Sequence, residues 1–224
     1  MSAELEYRLR PIRESMLLNE SEETWDKIAS AIRTLQTVVQ EDSSSAPEYM
    51  CTALRSLASP LNRSISSERS RLSGAAMDLI NIAVTELGRA FEGLLPIFLP
   101  TLLAMCARPN KVFVSRARAC LITIVESTQS PQILGFLLRS AKDKSTSLRL
   151  AVSEVALACL HSFNPPDLQK DSRGQEVEGL IKAFATDANA DVRKVGRKVF
   201  EAYSILLPNR VDRYAFSDSG FFQL

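Results

Sequence analysis

Apolar residues along this chain recur three or four positions apart, and polar segments separate the apolar runs. One such run places Ile28, Ala31, Ile32, Leu35 and Val39 on a single face of a helix. The apolar and polar alternation that marks a strand is nearly absent. The pattern therefore predicts an all-α fold made of amphipathic helices.

The predicted helices group into five pairs. Their expected ranges are about 4–18 with 24–39, 47–57 with 67–87, 91–106 with 111–125, 131–140 with 147–163, and 176–184 with 191–207. We expect loops at 59–66 and 164–174. We also expect one array over residues 1–211, followed by a polar tail with late aromatic residues over 212–224.

Two stretches of the chain share one pattern, 44 residues apart (187−143). Asp143 and Asp187 are each followed by an aliphatic residue five positions later and by an arginine, Arg149 or Arg193, six positions later. Helix pairs with a period of 40–47 residues are typical of HEAT arrays. The prediction is a right-handed α-solenoid of about five to six HEAT-type helix pairs, with the turns inside the pairs aligned along one edge. Such arrays bind partners, so we expect a binding protein.

Composition narrows the function classes. Aromatic residues make up 7% of the chain and glycine only 8 residues, which disfavours an all-β fold. The net charge is +1, with 27 basic and 26 acidic residues, so no nucleic-acid partner is expected. The longest apolar run, 93–106, contains Pro96 and Pro100 and is too short to cross a bilayer. With no secretory signal at the N-terminus, we expect an intracellular, soluble protein without a membrane partner.

Residues that commonly carry catalysis are sparse. The four cysteines are far apart and form no C-x-x-C motif, so they are expected to be small core residues of a reducing compartment. His161 is the single histidine and is expected at a helix end. No nucleophile, metal or phosphate-binding motif occurs. We therefore predict no catalytic residues, no metal, no cofactor and no enzyme activity.

The turns within the pairs carry the candidate binding residues. In chain order they are Trp25, Arg69, Asn110, Lys111, Lys144, Arg193 and Lys194. This series resembles the tubulin-binding edge of TOG domains. The stretch from Ser67 to Val211 resembles the arrays of the cytoplasmic-linker-associated (CLASP) family, most clearly at 86–91, 95–102 and 191–198.

The resemblance implies that the turns bind αβ-tubulin or the microtubule lattice. Trp25 would be the apolar anchor, the basic residues would meet acidic tubulin surface, and Asn110 would add a hydrogen bond. Cations near a helix N-terminus are unfavourable by about 0.3–1 kcal/mol each, which suggests an outside partner that offsets them. Ile28 stands where family members often carry arginine.

The sequence is compatible with several alternatives. Trp25 could be buried, and Arg149 and Arg193 could bridge to aspartates of neighbouring repeats. As a whole, the chain could be a cryptic TOG-like array that docks a spindle, kinetochore or cortical protein. A transport or phosphatase scaffold is a weaker alternative, and an enzyme the weakest. The leading prediction is a monomeric, cytoplasmic, microtubule-associated TOG domain of a CLASP-like regulator of microtubule dynamics.

Overall fold

The computed structural model describes the backbone of residues 2–211 and the side chains of residues 4–211. Within this range every regular element is helical. The elements are α1 (Ser2–Met16), α2 (Trp25–Asp42), α3 (Pro47–Ser56), α4 (Ala58–Ile65), α5 (Ser70–Leu87), a 3₁₀ segment (Gly88–Leu94), α6 (Leu95–Cys106), α7 (Lys111–Thr128), α8 (Ile133–Ser140), α9 (Thr146–Ser162), α10 (Pro165–Leu168), α11 (Asp171–Ala185) and α12 (Ala190–Leu206). The all-α prediction is confirmed.

The described residues form two compact units, which divide between Thr128 and Gln129. In the first unit α1 packs on α2 and α6 on α7, while α2, α5 and α7 pack side by side in series. In the second unit α8 packs on α9 and α11 on α12, and α9 lies against α12. In each unit, therefore, helix pairs stack on one another, and the second helix of each pair makes the contact with the next pair. Whether residues 1–211 act as one array stays a prediction, and the expected tail at 212–224 lies outside the described residues.

The predicted apolar stripes form the core. Ile32, Leu35 and Val39 of α2 are fully buried, as are Leu79, Ile80 and Ala83 of α5. Burying a leucine or isoleucine side chain stabilises a fold by about 1.5–3 kcal/mol. Packing between neighbouring stripes is therefore what holds each unit together, as expected for an array whose repeats cannot bury an apolar face alone.

Two segments predicted to be loops contain helix. Residues 58–65 form α4, because Pro60 is tolerated in the first turn of a helix and Leu61 and Ile65, one turn apart, are both fully buried. Residues 165–168 form the short helix α10, with two prolines in its first turn. Serine and proline in these segments are typical of loops, and the sequence therefore did not predict the short helices.

The expected helix over 91–106 is also divided. Gly88 has a φ of +50°, which ends α5, and the chain continues as the 3₁₀ segment before α6 begins at Leu95. By length and composition alone, the helical stretch Ser70–Cys106 could cross a membrane. Half of its most apolar window is buried inside the structure, as in the core helix of a globular protein.

Candidate functional site

Trp25 is the first residue of α2 and lies against the start of α5. Its side chain is half-buried, and two guanidinium groups cover the indole ring: Arg69 at 5.6 Å and Arg71 at 5.5 Å from the ring centroid. Cations at this distance from a tryptophan ring are attracted by its π electrons. The structure therefore brings together two predicted site residues, Trp25 and Arg69, and adds Arg71.

Arg69 already has carboxylate partners within the same unit. Its Nη2 donates to Glu22 Oε1 at 2.7 Å, and its Nε lies 3.3 Å from Glu20 Oε1. The hydrogen bond to Glu22 raises the pKa of the Arg69 guanidinium. These contacts join the turn before α5 to the turn before α2. Arg69 thus holds the indole in place as well as contributing charge.

Ser67, where the sequence predicted the start of a helix, lies in the turn before α5. Its hydroxyl accepts from the backbone N–H of Arg69 at 3.1 Å and donates to Glu20 at 2.7 Å. Helix α5 begins only at Ser70, so Arg69 occupies its N-cap position. A serine hydroxyl that bonds two residues along the chain favours a turn over a helix, which explains the late start.

The next turn, before α7, is built in the same way. Arg108 forms an ion pair with Glu68 and donates to the Ser66 carbonyl at 2.8 Å, so it ties this turn to the previous one. Asn110 Oδ1 accepts from the Val112 backbone N–H at 2.9 Å and caps α7. Lys111 is exposed at the first position of α7. Asn110 therefore has a structural role beside the contact predicted for it.

Val112 is a surface residue that the sequence analysis missed. It is 54% exposed in the first turn of α7, next to Lys111. It lines a groove together with Arg71, which stacks on Trp25. An apolar residue off the buried stripe of Phe113 and Ala117 was the signal that could have identified it. The first unit therefore presents an apolar and basic surface made of Trp25, Arg71, Lys111 and Val112.

In the second unit, the two copies of the repeated pattern are joined. Arg149 donates from Nε and Nη2 to the two carboxylate oxygens of Asp187, at 2.6 and 3.1 Å. The Asp187 side chain is only 4% exposed. The hydrogen bond from Arg149 is the main cause that holds the pKa of Asp187 below its usual value. The alternative that Arg149 bridges neighbouring repeats is confirmed.

Each arginine of the pattern also closes its own turn. Arg149 donates to the carbonyls of Asp143 and Lys144 at 2.8 and 3.2 Å, and Arg193 donates to those of Asp187 and Ala188 at 2.6 and 2.9 Å. The arginine six positions after the aspartate thus bonds the carbonyls five and six residues before it in both copies. This shared geometry is the physical reason for the repeated spacing.

Four other basic residues at or near the turns of the second unit face solvent. Lys144 and Lys194 are exposed, as are Arg197 and Lys198 one turn further along α12. Among the residues that the structure describes, none of these four side chains forms a hydrogen bond or an ion pair. The same holds for Lys111 in the first unit. Lys111, Lys144 and Lys194 are therefore the predicted site residues whose charge no described carboxylate offsets.

Other sequence expectations have clear outcomes. Ile28 is 3% exposed and belongs to the buried stripe of α2, so an arginine there would enter the core. His161 lies exposed in the last turn of α9, as predicted. In the range 4–211, no three or more histidine, cysteine or acidic residues cluster in a way that could hold a metal ion.

Proteins related to this chain were found by sequence. Residues 5–217 match the family model described as CLASP N terminal. The protein stu-1 of Neurospora crassa is 24% identical over 195 residues, which cover 85% of this chain and 17% of that protein. CLASP-1 of Caenorhabditis briggsae is 25% identical over 186 residues, which cover 82% of this chain and 14% of that protein. The chain thus spans about a sixth of the length of these relatives.

Solved structures give the fold. A structure from crescerin, described as using a TOG domain array to regulate microtubules in the primary cilium, matches with a TM-score of 0.66 at 16% identity, covering 98% of this chain and 84% of that one. The CEP104 TOG domain matches with a TM-score of 0.65 at 16% identity, covering 96% and 89%. The predicted HEAT-type helix-pair fold agrees with both. From the match over residues 5–217, this chain belongs to the CLASP N-terminal family and has the fold of a TOG domain.

Proposed function

We propose that this chain binds αβ-tubulin through the turns that precede the second helices of its pairs. Direct contacts with tubulin would be made by Trp25, Lys111, Lys144 and Lys194. Val112 and Arg71 would add to these contacts. Arg69, Asn110 and Arg193 would contribute to the same turns while also holding them in shape. The observation that carries the proposal is the set of exposed lysines at the turns of both units that form no described ion pair. The half-buried Trp25 at a turn of the first unit adds to it.

In this proposal the chain acts by binding alone, as a monomer in the cytoplasm on microtubules and the spindle. A binding protein alters polymer dynamics when it binds one conformation of tubulin more tightly than another. Membership in the CLASP N-terminal family supports this role. Because the proposed contacts are exposed charges, affinity should fall as salt rises.

Co-elution with unpolymerised αβ-tubulin in size-exclusion chromatography tests the proposal. The informative variants are Trp25→Glu and the pair Lys111→Glu with Lys194→Glu, measured at low and moderate salt. The pair Arg10→Glu with Lys170→Glu is the matched control, since both residues are exposed and lie away from these turns. Thermal unfolding of each variant checks that it remains folded.

We expect the wild type and the control to co-elute with tubulin, and both test variants to elute alone. Equal co-elution of the wild type, the test variants and the control would refute the proposal. The lysine pair keeps the test informative if Trp25→Glu disturbs α2, because the side chains of Lys111 and Lys194 are exposed and form no described hydrogen bond or ion pair.

A cryptic array that docks a different protein is the second candidate. It is favoured by one observation, the pairing of Arg69 with Glu20 and Glu22, because it leaves this cation less available to an acidic partner. Absence of tubulin co-elution for the folded wild type at low salt would favour it over the first.

A further inference from the structure

A groove in the first unit lies beside the turns, along the faces of α2, α5 and α7. Its volume is about 320 Å³. Its charged lining residues are Arg33, Arg71 and Arg116, with Asp78 as the one carboxylate among the residues described there. The groove therefore carries a local excess of two positive charges, in a chain whose net charge is +1.

The groove arginines are poorly neutralised. Arg33 Nη2 lies 3.9 Å from Asp26, and Arg116 Nη1 lies 3.9 Å from Asp78, both beyond hydrogen-bonding distance. The two arginine side chains are 47% and 48% exposed, so these pairs contribute little to stability. Arg71 lies over the ring of Trp25 and forms no ion pair with a carboxylate in the described part of the chain. The guanidinium donors of the groove are therefore available to an outside acceptor.

The groove also has a defined floor. Gln36 Nε2 donates to the Ala75 carbonyl at 2.9 Å and links α2 to α5. Gly74 allows Arg116 to lie across α5, since a Cβ at this position would be 2.1 Å from Arg116 Nη1. Gln36 thus joins two of the helices that line the groove, and Gly74 leaves room for the Arg116 guanidinium over α5.

We infer that this groove binds an acidic peptide segment in an extended conformation. Arginine forms paired, charge-assisted hydrogen bonds with carboxylates, and three guanidinium groups from three helices would contact successive acidic side chains. Val112 and Arg71 belong both to the groove and to the proposed tubulin surface. A peptide bound in the groove would therefore lie next to that surface. The inference concerns a further site and does not depend on tubulin binding.

A nucleic acid is the less favoured occupant. Single-stranded nucleic acids bind through stacking of bases on aromatic side chains as well as through charge. No aromatic residue is among the described lining residues, and the Trp25 ring already has Arg69 and Arg71 against it. Asp78 inside the groove would repel a phosphate backbone. A carboxylate peptide can place its charges between the arginines and away from Asp78.

Fluorescence anisotropy of a labelled deca-glutamate peptide tests the site, with deca-glutamine as the uncharged comparison. The pair Arg33→Gln with Arg116→Gln should weaken deca-glutamate binding on the order of tenfold, as two charge-assisted contacts are lost. The pair Arg10→Gln with Arg89→Gln removes the same charge from exposed positions of the same unit outside the groove, and should leave affinity nearly unchanged. Asp78→Asn should tighten binding, because it removes the one repulsive charge.

The inference is overturned if both arginine pairs weaken binding equally, since this would indicate attraction to overall charge. Equal affinity for deca-glutamine, or tighter binding of single-stranded polyuridylate RNA, would also overturn it. Failure of the proposed tubulin function would give a different result from failure of this inference. The pair Lys111→Glu with Lys194→Glu would then have no effect on tubulin co-elution, whereas Arg33→Gln with Arg116→Gln would still reduce peptide binding.

Discussion

Arg149 and Asp187, the arginine of one repeat and the aspartate of the next, form a two-pronged ion pair that is almost closed to solvent. The Nε to Oδ2 distance is 2.6 Å, and the side chains are 14% and 4% exposed. Removing one member leaves the buried charge of the other without a partner. This lowers the free energy of unfolding more than the loss of an exposed pair does. Arg149→Ala should therefore lower the free energy of unfolding by about 3 kcal/mol.

A double-mutant cycle with Arg149→Ala and Asp187→Ala measures this contact by urea unfolding. The coupling between the two changes should be clearly above that of an exposed pair such as Arg33 with Asp26, 3.9 Å apart. A coupling near zero for Arg149 and Asp187 would mean that the pair does not join the repeats energetically.

The same pair predicts a pH dependence. The pKa of Asp187 is lowered in the folded state, first by the hydrogen bond from Arg149. Its contribution to stability is therefore present above its unfolded pKa of about 3.9 and is lost as pH falls through the lower folded value. The destabilisation caused by Arg149→Ala should shrink between pH 7 and pH 3, as measured by urea unfolding at each pH.

Some destabilisation should remain at pH 3, because Arg149 also donates to the carbonyls of Asp143 and Lys144. An effect of equal size at both pH values would argue that only these carbonyl contacts stabilise the fold.

Two glycines give opposite predictions for the same change. A Cβ on Gly196 of α12 would lie 2.6 Å from Phe184 Cβ and 3.4 Å from the Phe184 backbone, so α11 and α12 would have to separate. Gly196→Ala should lower stability by about 1–3 kcal/mol. Thermal unfolding checks this, and a melting temperature equal to that of the wild type would contradict the close approach.

Gly74→Ala is the counterpart, because the new Cβ would meet only the flexible end of Arg116. Alanine is favoured over glycine in a helix by up to about 1 kcal/mol, so stability should be unchanged or slightly raised. A strong loss of stability in the same thermal assay would show that Arg116 cannot move aside.

The four cysteines should differ in their reactivity toward thiol reagents. Cys106, Cys120 and Cys159 are buried, and burial raises the pKa of the Cys120 and Cys159 thiols. Only Cys51 is partly exposed. An aromatic disulfide reagent should therefore modify one thiol per native chain and four per unfolded chain. More than one rapid native modification would contradict this burial.

The repeated pattern was predictable from sequence because its contacts are local. The spacing of Asp143 with Arg149, and of Asp187 with Arg193, follows from an arginine that reaches back to its own turn. The buried stripes were predictable for the same reason, as a helix presents residues three and four positions apart on one face. The contact between Arg149 and Asp187 was one of the alternatives that the sequence left open.

The basic groove was not predictable because its charges come from three separate helices. Arg33, Arg71 and Arg116 are 38 (71−33) and 45 (116−71) positions apart, and each lies on a polar helix face. Only the packing of α2, α5 and α7 brings them to one cavity. Helix α4 was missed for a different reason, since its two buried aliphatic residues, Leu61 and Ile65, are too few to reveal a period.

The bond between the two copies of the repeated pattern runs in one direction, from the arginine of the first to the aspartate of the second. A head-to-tail contact of this kind does not close on itself, so nothing in it limits the number of copies. Every copy carries the donor and the acceptor needed to join an identical neighbour. Duplication of the coding segment would thus preserve this contact between each copy and the next.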